Sequence, residues 1–154
     1  VASLPLVALY PLMKRITWWP QAFLGLTFNW GALLGSVAVS GGVTLPALLL
    51  YASGFFWTLG YDTIYAHQDA ADDAKIGVRS TARRLGARSP RWIAGFYAGS
   101  LLCFAAAGFA AGAGGPFLLA LGLAAAHFCW QIRHLDIHSP AWCRRLFLSN
   151  VQAG

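Results

Sequence analysis

The stretch of sequence that decides the fold is ITWWPQAFLGLTFNWGALLGSVAVSGGVTLPALLLYASGFFWTLG, residues 16–60, which contains no charged side chain. A second run without Asp, Glu, Lys or Arg covers residues 92–132. A membrane-spanning helix needs about 20 predominantly apolar residues, so each run is long enough for two spans and a short turn. Only 10% of the 154 residues are charged and 58% are apolar, whereas soluble domains carry about 25% charged residues. The sequence therefore predicts an all-α protein, a polytopic transmembrane helical bundle.

Glycine and proline mark the turns inside these two runs, because both residues interrupt a helix. The first run is divided by SGGVTLP at residues 40–46 and the second by GAGGP at residues 112–116. We therefore predict spans at about 21–40, 45–66, 92–111 and 116–133. Residues 1–13 are also uncharged and predict the end of an earlier span, which gives about four full spans and part of a fifth.

The positive charges predict which ends of the spans share one side of the membrane. All 11 Lys and Arg residues fall in three places, at residues 14–15, 75–91 and 133–145, and the two glycine turns carry none. Positive residues concentrate on the cytoplasmic side or its organellar equivalent, so we assign these three places to that side. Five tryptophans lie at the same edge, as an interfacial aromatic belt does: Trp18, Trp19, Trp92, Trp130 and Trp142. The net charge of +6 is thus explained by topology, and we expect no nucleic-acid partner.

Acidic residues are rare and clustered, which makes them candidates for chemistry. The chain has five Asp and no Glu, and four of the five lie at residues 62–73. On a helix, Asp62, Asp69 and Asp73 fall within about 40° of one another, whereas Asp72 points away from this stripe. Ionisable side chains at the end of a span are costly, and they are functional candidates by default.

Clustered carboxylates repel one another unless a cation joins them, and oxygen ligands suit Mg²⁺, which usually bridges to substrate phosphates. Basic residues lie close in sequence, as the partners of a diphosphate would: Lys75, Arg79, Arg83 and Arg84, with Lys14 and Arg15 across the bundle. The alternative is that all these charges form the solvated loop of a polytopic protein. The single-stripe spacing favours the functional interpretation.

Several segments of the chain resemble one family of membrane enzymes. GYDTIYAHQD at residues 60–69, followed by Asp72 and Asp73, resembles the second aspartate-rich motif of the UbiA superfamily of prenyltransferases. YPLMKR at residues 10–15, followed by WPQ at residues 19–21, resembles the branch that acts on 4-hydroxybenzoate. The resemblance covers nearly the whole chain. Its C-terminal blocks, at residues 131–138 and 143–150, look most like α-proteobacterial and mitochondrial members.

The resemblance implies a fold of about nine helices, of which residues 1–154 are one partial membrane domain. The second aspartate motif and a cytoplasmic loop would occupy about residues 60–91. The implied reaction transfers a polyprenyl group from polyprenyl diphosphate to 4-hydroxybenzoate, ortho to its hydroxyl, in ubiquinone biosynthesis. The implied location is a bacterial inner membrane, with the mitochondrial inner membrane as the alternative.

The resemblance also implies roles for individual residues. Mg²⁺ would be held by Asp62, Asp69 and Asp73, which are the expected catalytic and metal-binding residues. The expected substrate-binding residues are Lys14, Arg15, Lys75, Arg79 and Tyr65. Among these, Arg15 is a plausible partner for the acceptor carboxylate, because arginine binds carboxylates bidentately, although it could equally serve the diphosphate.

One departure from the family pattern is visible in the sequence. Members carry an earlier motif of the form N-D-x-x-D-x-x-x-D on a preceding helix, and the chain has no such motif. We therefore expect the chain to be a fragment of a larger bundle that is inactive alone. Two alternatives stay open at this point: an enzyme of the same superfamily with another acceptor, and a non-enzymatic membrane or transport module.

Overall fold

The computed structural model of the chain describes residues 4–152 and contains helices, turns and loops but no strand within that range. The helices are α1 (Leu4–Ile16), α2 (Pro20–Phe28), α3 (Trp30–Ser40), α4 (Leu45–Lys75), α5 (Thr81–Leu85), α6 (Ser89–Ala110), α7 (Gly115–Arg133) and α8 (Pro140–Ser149). Short 3₁₀ turns follow α5 and α8, at Gly86–Arg88 and Asn150–Gln152. The predicted all-α class is confirmed.

Three helical segments within residues 4–152 are long and apolar enough to cross a membrane: Pro20–Ser40, Thr81–Ala110 and Gly115–Arg133. They correspond to three of the four predicted spans, and they identify an integral membrane protein. The fourth predicted span, residues 45–66, is helical as part of α4 but is not among these three. Its sequence mixes leucine with Gly, Ser, Thr and aromatic residues, which lowers its mean hydropathy.

The helix ends follow the glycine and proline positions that the sequence predicted. Proline stands in the first turn of α2, α4, α6, α7 and α8, where its missing N–H costs no helical hydrogen bond. Gly41 ends α3 with φ 74°, and Gly112 follows α6 with φ 67°. Both are left-handed conformations that residues with a Cβ rarely adopt. The two predicted glycine turns are therefore real breaks.

The predicted span at 21–40 is not one continuous helix, because it breaks at Asn29 between α2 and α3. The Asn29 side chain donates from Nδ2 to the Gly25 carbonyl at 2.7 Å and to Thr58 Oγ1 of α4 at 3.2 Å. A Cβ built on Gly54 of α4 would collide with the Asn29 side chain. The absence of a side chain at Gly54 thus lets the polar break pack tightly against α4.

The long helix α4 is the centre of the bundle and packs against α2, α3, α5, α6 and α8. Its contact with α6 is close because glycines lie under aromatic rings in both directions. A Cβ on Gly60 of α4 would collide with the Tyr97 ring of α6, and a Cβ on Gly99 of α6 would lie 3.2 Å from the Phe56 ring of α4. Small residues at such contacts let membrane helices approach closely.

Helix α8 was not among the predicted helices, and its buried side chains complete the hydrophobic core. Buried apolar side chains of α4, α6, α7 and α8 form one cluster, which contains Ile64, Ile93, Tyr97, Phe128, Cys143 and Leu146. Gln131, which is fully buried, ties the cluster together: it accepts from the Tyr97 hydroxyl and donates to the Leu146 carbonyl at 3.3 Å and to Ser149 Oγ at 3.0 Å. These hydrogen bonds hold α8 next to α4, the helix that carries the candidate site.

Candidate functional site

Residues from α1, α2, α4 and the loop before α5 surround one small cavity at the end of α4 that carries the aspartates. Its polar lining includes Lys14, Gln21, Asp62, Asp69, Asp73 and Arg79, and its other lining residues are Tyr10, Tyr65, Ala66, Val78 and Ser80. The cavity therefore brings together six side chains that the sequence analysis predicted for the site: Lys14, Asp62, Tyr65, Asp69, Asp73 and Arg79.

The predicted carboxylate stripe exists because α4 continues without interruption as far as Lys75. Asp62, Asp69 and Asp73 all line the cavity, whereas Asp72 does not. Asp72 instead accepts a 2.8 Å salt bridge from Lys75, and the two side chains are 83% and 74% exposed. The helix thus separates a cavity-facing set of carboxylates from a solvent-facing ion pair.

The pKa of a cavity-facing aspartate and that of the solvent-facing Asp72 are shifted in opposite directions. Burial raises the pKa of Asp73, and the neighbouring Asp69 charge adds to that effect, while Lys14 and Arg83 oppose it. The hydrogen bond and charge of Lys75 lower the pKa of Asp72. The ionised form of Asp73 is therefore disfavoured by burial and by Asp69, and a nearby positive charge favours it.

Lys14 and Arg79 supply the positive side of the cavity, although 64 residues separate them in sequence. The backbone N–H of Arg79 donates to the Lys14 carbonyl at 2.8 Å, and Arg79 Nη1 donates to the Ile16 carbonyl at 2.6 Å. The guanidinium groups of Arg79 and Arg83 lie over the Trp18 ring, at 5.6 and 5.5 Å from its centroid. These contacts connect the segment before α5 to the end of α1, and they bring Lys14 and Arg79 to the same cavity.

Two residues that the sequence analysis assigned to the substrate lie elsewhere. Arg15 is exposed and is not a lining residue of the cavity. Lys75 is occupied by its exposed salt bridge with Asp72. Their positions follow from helix geometry: Arg15 is one residue past Lys14 and therefore turned about 100° away from it, and Lys75 lies on the Asp72 side of α4.

Tyr65, one of the expected substrate-binding residues, lines the cavity and packs against α8. Its ring centroid lies 4.7 Å from that of Phe147 in α8, and Tyr61 lies 5.7 Å from the same ring. Tilted aromatic contacts at these distances are favourable. The end of α8 is therefore connected to the cavity through Phe147 and Tyr65.

The sequence analysis missed three lining residues whose side chains carry polar atoms, namely Tyr10, Gln21 and Ser80. Tyr10 and Gln21 fall inside motifs that carried the family resemblance, YPLMKR and WPQ, but neither was given a role. Gln21 carried a second signal, since it is the one amide side chain in the first turn of an apolar helix. Ser80 is the N-cap of α5 and accepts from the Arg83 N–H at 3.3 Å.

The donor set of the cavity fits a hard divalent cation, because it offers carboxylate oxygens and no sulfur or imidazole ligand. No three Asp, Glu, His or Cys side chains within residues 4–152 are close enough to hold one metal ion by themselves. The helix explains this: Asp62 and Asp69 are seven residues apart, which is about 10 Å along the axis. Asp69 and Asp73 are one turn apart, and Mg²⁺ commonly takes one or two protein carboxylates together with water and phosphate oxygens.

The fold and the cavity define a helical membrane protein with an acidic and basic site at the end of a central helix. A model of the UbiA prenyltransferase family matches residues 1–151, and the chain belongs to this family. It is 52% identical over 154 residues to the mitochondrial 4-hydroxybenzoate polyprenyltransferase of Drosophila melanogaster, and 51% identical over 156 residues to the protein of the same name from Homo sapiens. It is also 49% identical over 156 residues to 4-hydroxybenzoate geranyltransferase 2 of Lithospermum erythrorhizon.

These matches cover 99%, 99% and 100% of the chain, but only 39%, 41% and 51% of the three relatives. The chain therefore spans about two fifths to one half of the length of the curated relatives it matches. No solved structure matches the chain.

Proposed function

We propose that the whole protein transfers a polyprenyl group from polyprenyl diphosphate to the ring of 4-hydroxybenzoate, ortho to the hydroxyl, as a step of ubiquinone biosynthesis. Family membership supports a prenyltransferase, and the names of the relatives support this acceptor. The observation that carries the proposal is the cavity in which Asp62, Asp69 and Asp73 face Lys14 and Arg79. The proposed location is an inner membrane, bacterial or mitochondrial, with the basic loops on the cytoplasmic or matrix side.

Two of the three cavity-lining carboxylates are the proposed ligands of the cation. Asp69 and Asp73, one turn apart on the same face of α4, are the proposed Mg²⁺ ligands, and Asp62 lies two turns earlier on that face. When bound, Mg²⁺ supplies positive charge that stabilises a departing diphosphate. Because burial raises the pKa of Asp73, a cation at this site also relieves the cost of keeping its carboxylate ionised.

The cations of the cavity bind the diphosphate itself. The Lys14 ammonium and the Arg79 guanidinium donate hydrogen bonds to anionic oxygens, which are stronger than bonds between neutral groups. Arg79 keeps free N–H groups for this purpose, since only its Nη1 is used by the Ile16 carbonyl among the described residues. Negative charge that develops on the leaving group thus meets donors that are already in place.

Tyr65 lines the same cavity as Lys14 and Arg79, so we expect its ring beside the allylic carbon of a diphosphate bound there. An aromatic ring attracts a cation over its face, so the Tyr65 ring stabilises positive charge that develops on the prenyl carbon as the C–O bond breaks. Apolar cavities of about 390 and 290 Å³ lie further along α4 and share Asn29 and Trp57 in their linings. They offer apolar space for the isoprenoid tail.

The test compares carboxylates inside and outside the cavity in the whole protein. Asp69→Ala and Asp73→Ala should each lower the rate of 4-hydroxybenzoate prenylation by about 10²- to 10³-fold, the cost of one electrostatic contact to a developing charge. Asp72→Ala is the matched control, because Asp72 lies on the same turn but pairs with Lys75 in solvent. The assay is prenyl transfer in isolated membranes with and without Mg²⁺.

The two lysines give a second matched comparison in the same assay. Lys14→Met should raise the KM for polyprenyl diphosphate, whereas Lys75→Met should leave it close to the parental value, because only Lys14 lines the cavity. Near-parental turnover in both Asp69→Ala and Asp73→Ala would refute the assignment of the site. Mild effects of every substitution would favour a solvated loop with no catalytic role.

A further inference from the structure

Gln21 is the one buried amide side chain of the candidate site, and no role has been assigned to it so far. It lies in the first turn of α2, directly after Pro20. The residue is only 3% exposed, yet it lines the cavity together with Lys14, Asp62 and Arg79. A polar group that is buried at the wall of a polar cavity needs a hydrogen-bonding partner for each of its polar atoms.

The orientation of the Gln21 amide is fixed by chemistry. The Thr81 backbone nitrogen lies 3.1 Å from the terminal amide atom of the Gln21 side chain that faces it, and a backbone N–H can only donate. The atom that faces Thr81 is therefore the carbonyl oxygen Oε1, and the NH₂ group points elsewhere. This is the only hydrogen bond that the Gln21 side chain makes within residues 4–152, so the two N–H donors of Nε2 have no protein acceptor there.

The anchor that holds Oε1 is itself rigid. Thr81 is fully buried, and its hydroxyl lies 2.7 Å from that of Thr63 in α4. The Thr63 hydroxyl donates its proton to the Leu59 carbonyl at 2.6 Å, so it must accept from Thr81. One continuous chain of hydrogen bonds therefore connects α2, α5 and α4, and it holds the Gln21 side chain in one position.

We infer that Gln21 is a substrate-positioning residue whose NH₂ group donates to an anionic oxygen of the bound substrate. The inference rests on the proposed function, which supplies two such oxygens: those of the diphosphate and those of the 4-hydroxybenzoate carboxylate. Both carry the same chemistry, an oxyanion beside Lys14 and Arg79. The amide adds direction to the binding, because its donors are held in place, whereas the lysine ammonium can rotate freely.

The contrasting interpretation is purely structural, with Gln21 present only to accept from the first free N–H of α5. One isosteric substitution separates the two. Gln21→Glu keeps an oxygen that accepts from the Thr81 N–H and removes both N–H donors. A purely structural role therefore predicts a variant with parental stability and parental affinity. The inference predicts a variant with parental stability and weakened binding of one oxyanion.

The experiment uses the whole protein, purified in the presence of Mg²⁺. Binding of geranyl diphosphate and of 4-hydroxybenzoate is measured separately by calorimetry, and the KM for each is measured by prenyl transfer. Gln21→Glu should weaken the affinity for one of the two ligands by about 10- to 100-fold, the range for a lost hydrogen bond to a charged group. Loss of geranyl diphosphate affinity identifies the diphosphate as the acceptor of the bond, and loss of 4-hydroxybenzoate affinity identifies the carboxylate.

The control for the added negative charge is Gln68→Glu. Gln68 lies beside Asp69 and donates to its Oδ1 at 3.3 Å, but it is not a lining residue of the cavity. This variant makes the same chemical change next to the acidic cluster. If Gln68→Glu weakens binding as much as Gln21→Glu does, and the neutral variant Gln21→Met binds both ligands as the parental protein does, charge repulsion is the cause and the inference is wrong.

A neutral second variant keeps the test decisive if Gln21→Glu does not fold. Methionine has a similar length and no hydrogen-bond donor, so Gln21→Met should weaken binding of the same oxyanion. Parental affinity of the folded Glu or Met variant for both ligands overturns the inference. Failure of the proposed function has a different signature: the parental protein binds geranyl diphosphate in a Gln21-dependent manner but does not prenylate 4-hydroxybenzoate.

Discussion

Replacing Gly60 by alanine tests the close contact between α4 and α6 that positions the aspartate helix. Gly60 is buried two residues before Asp62, and a Cβ at this position would collide with the Tyr97 ring. Tyr97 has little room to move away. Its hydroxyl donates to Gln131, and its ring stacks on Phe128 with a centroid distance of 4.2 Å and an interplanar angle of 14°.

The size of the effect follows from a comparison with Gly95 in α6. A Cβ on Gly95 meets no atom within 4 Å, so Gly95→Ala should gain only the helix preference of alanine, about 0.5–1 kcal/mol. Gly60→Ala gains the same preference but adds a methyl group to a filled contact, which typically costs about 1–3 kcal/mol. The difference between the two variants should therefore be about 1–3 kcal/mol, with Gly60→Ala the less stable.

The assay is the free energy of unfolding of the whole protein in mixed micelles, followed by tryptophan fluorescence. Tyr97→Leu provides the partner for a double-mutant cycle, since it removes the ring that the new methyl group meets. In that background, Gly60→Ala should no longer destabilise the protein. Equal effects of Gly60→Ala and Gly95→Ala in the parental background would refute the close α4–α6 contact.

Two further predictions concern topology and cysteine chemistry. In a protein without its native cysteines, single cysteines at residues 41–44 and 112–115 should react with an impermeant maleimide from one side of the membrane. Single cysteines at residues 70–90 should react only from the other side, because positive residues stay on the cytoplasmic side. Labelling of both sets from one side would contradict the helix arrangement. Burial, together with the Asp136 charge, raises the pKa of Cys143 to about 11, so about one thiol in a thousand is ionised at pH 8. Iodoacetamide should leave Cys143 unmodified in native membranes at pH 8 and modify it after unfolding in SDS, as measured by mass spectrometry; full modification of the native protein would contradict its burial.

The sequence predicted three of the four spans, the glycine turns and the carboxylate stripe because each depends on local pattern. Charge-free runs locate the spans, and left-handed glycines such as Gly41 and Gly112 end helices in any context. The spacing of Asp62, Asp69 and Asp73 fixes their common face once the helix extends that far. The helix continues to Lys75, so the angular argument applies to all three residues.

The break at Asn29 and the position of Gln21 depend on tertiary contacts, which the sequence pattern does not contain. The apolar run continues through Asn29, and the contacts of Asn29 with Thr58 and with the bare backbone of Gly54 on α4 become visible only in the structure. Gln21 reaches the site because Thr81, 60 residues later, folds back over it. Helix α8 did have a local signal, with Ser139 at its N-cap and Pro140 in its first turn, but no apolar periodicity of span length.

The low hydropathy of α4 is a consequence of the chemistry it carries. Asp62 is only 9% exposed, and an ionisable group at such a position is expensive in contact with lipid. The cost is bearable only where other helices, rather than lipid, surround it, and α4 is the helix that packs against α2, α3, α5, α6 and α8. The segments Pro20–Ser40, Thr81–Ala110 and Gly115–Arg133 are the strongly apolar ones, and two of them contain helices that pack directly on α4. A helix shielded in this way no longer needs leucine on every face, so its positions are free for the glycines, tyrosines and aspartates that shape the cavity. The same division explains why the helix that forms the site is less apolar than the helices beside it.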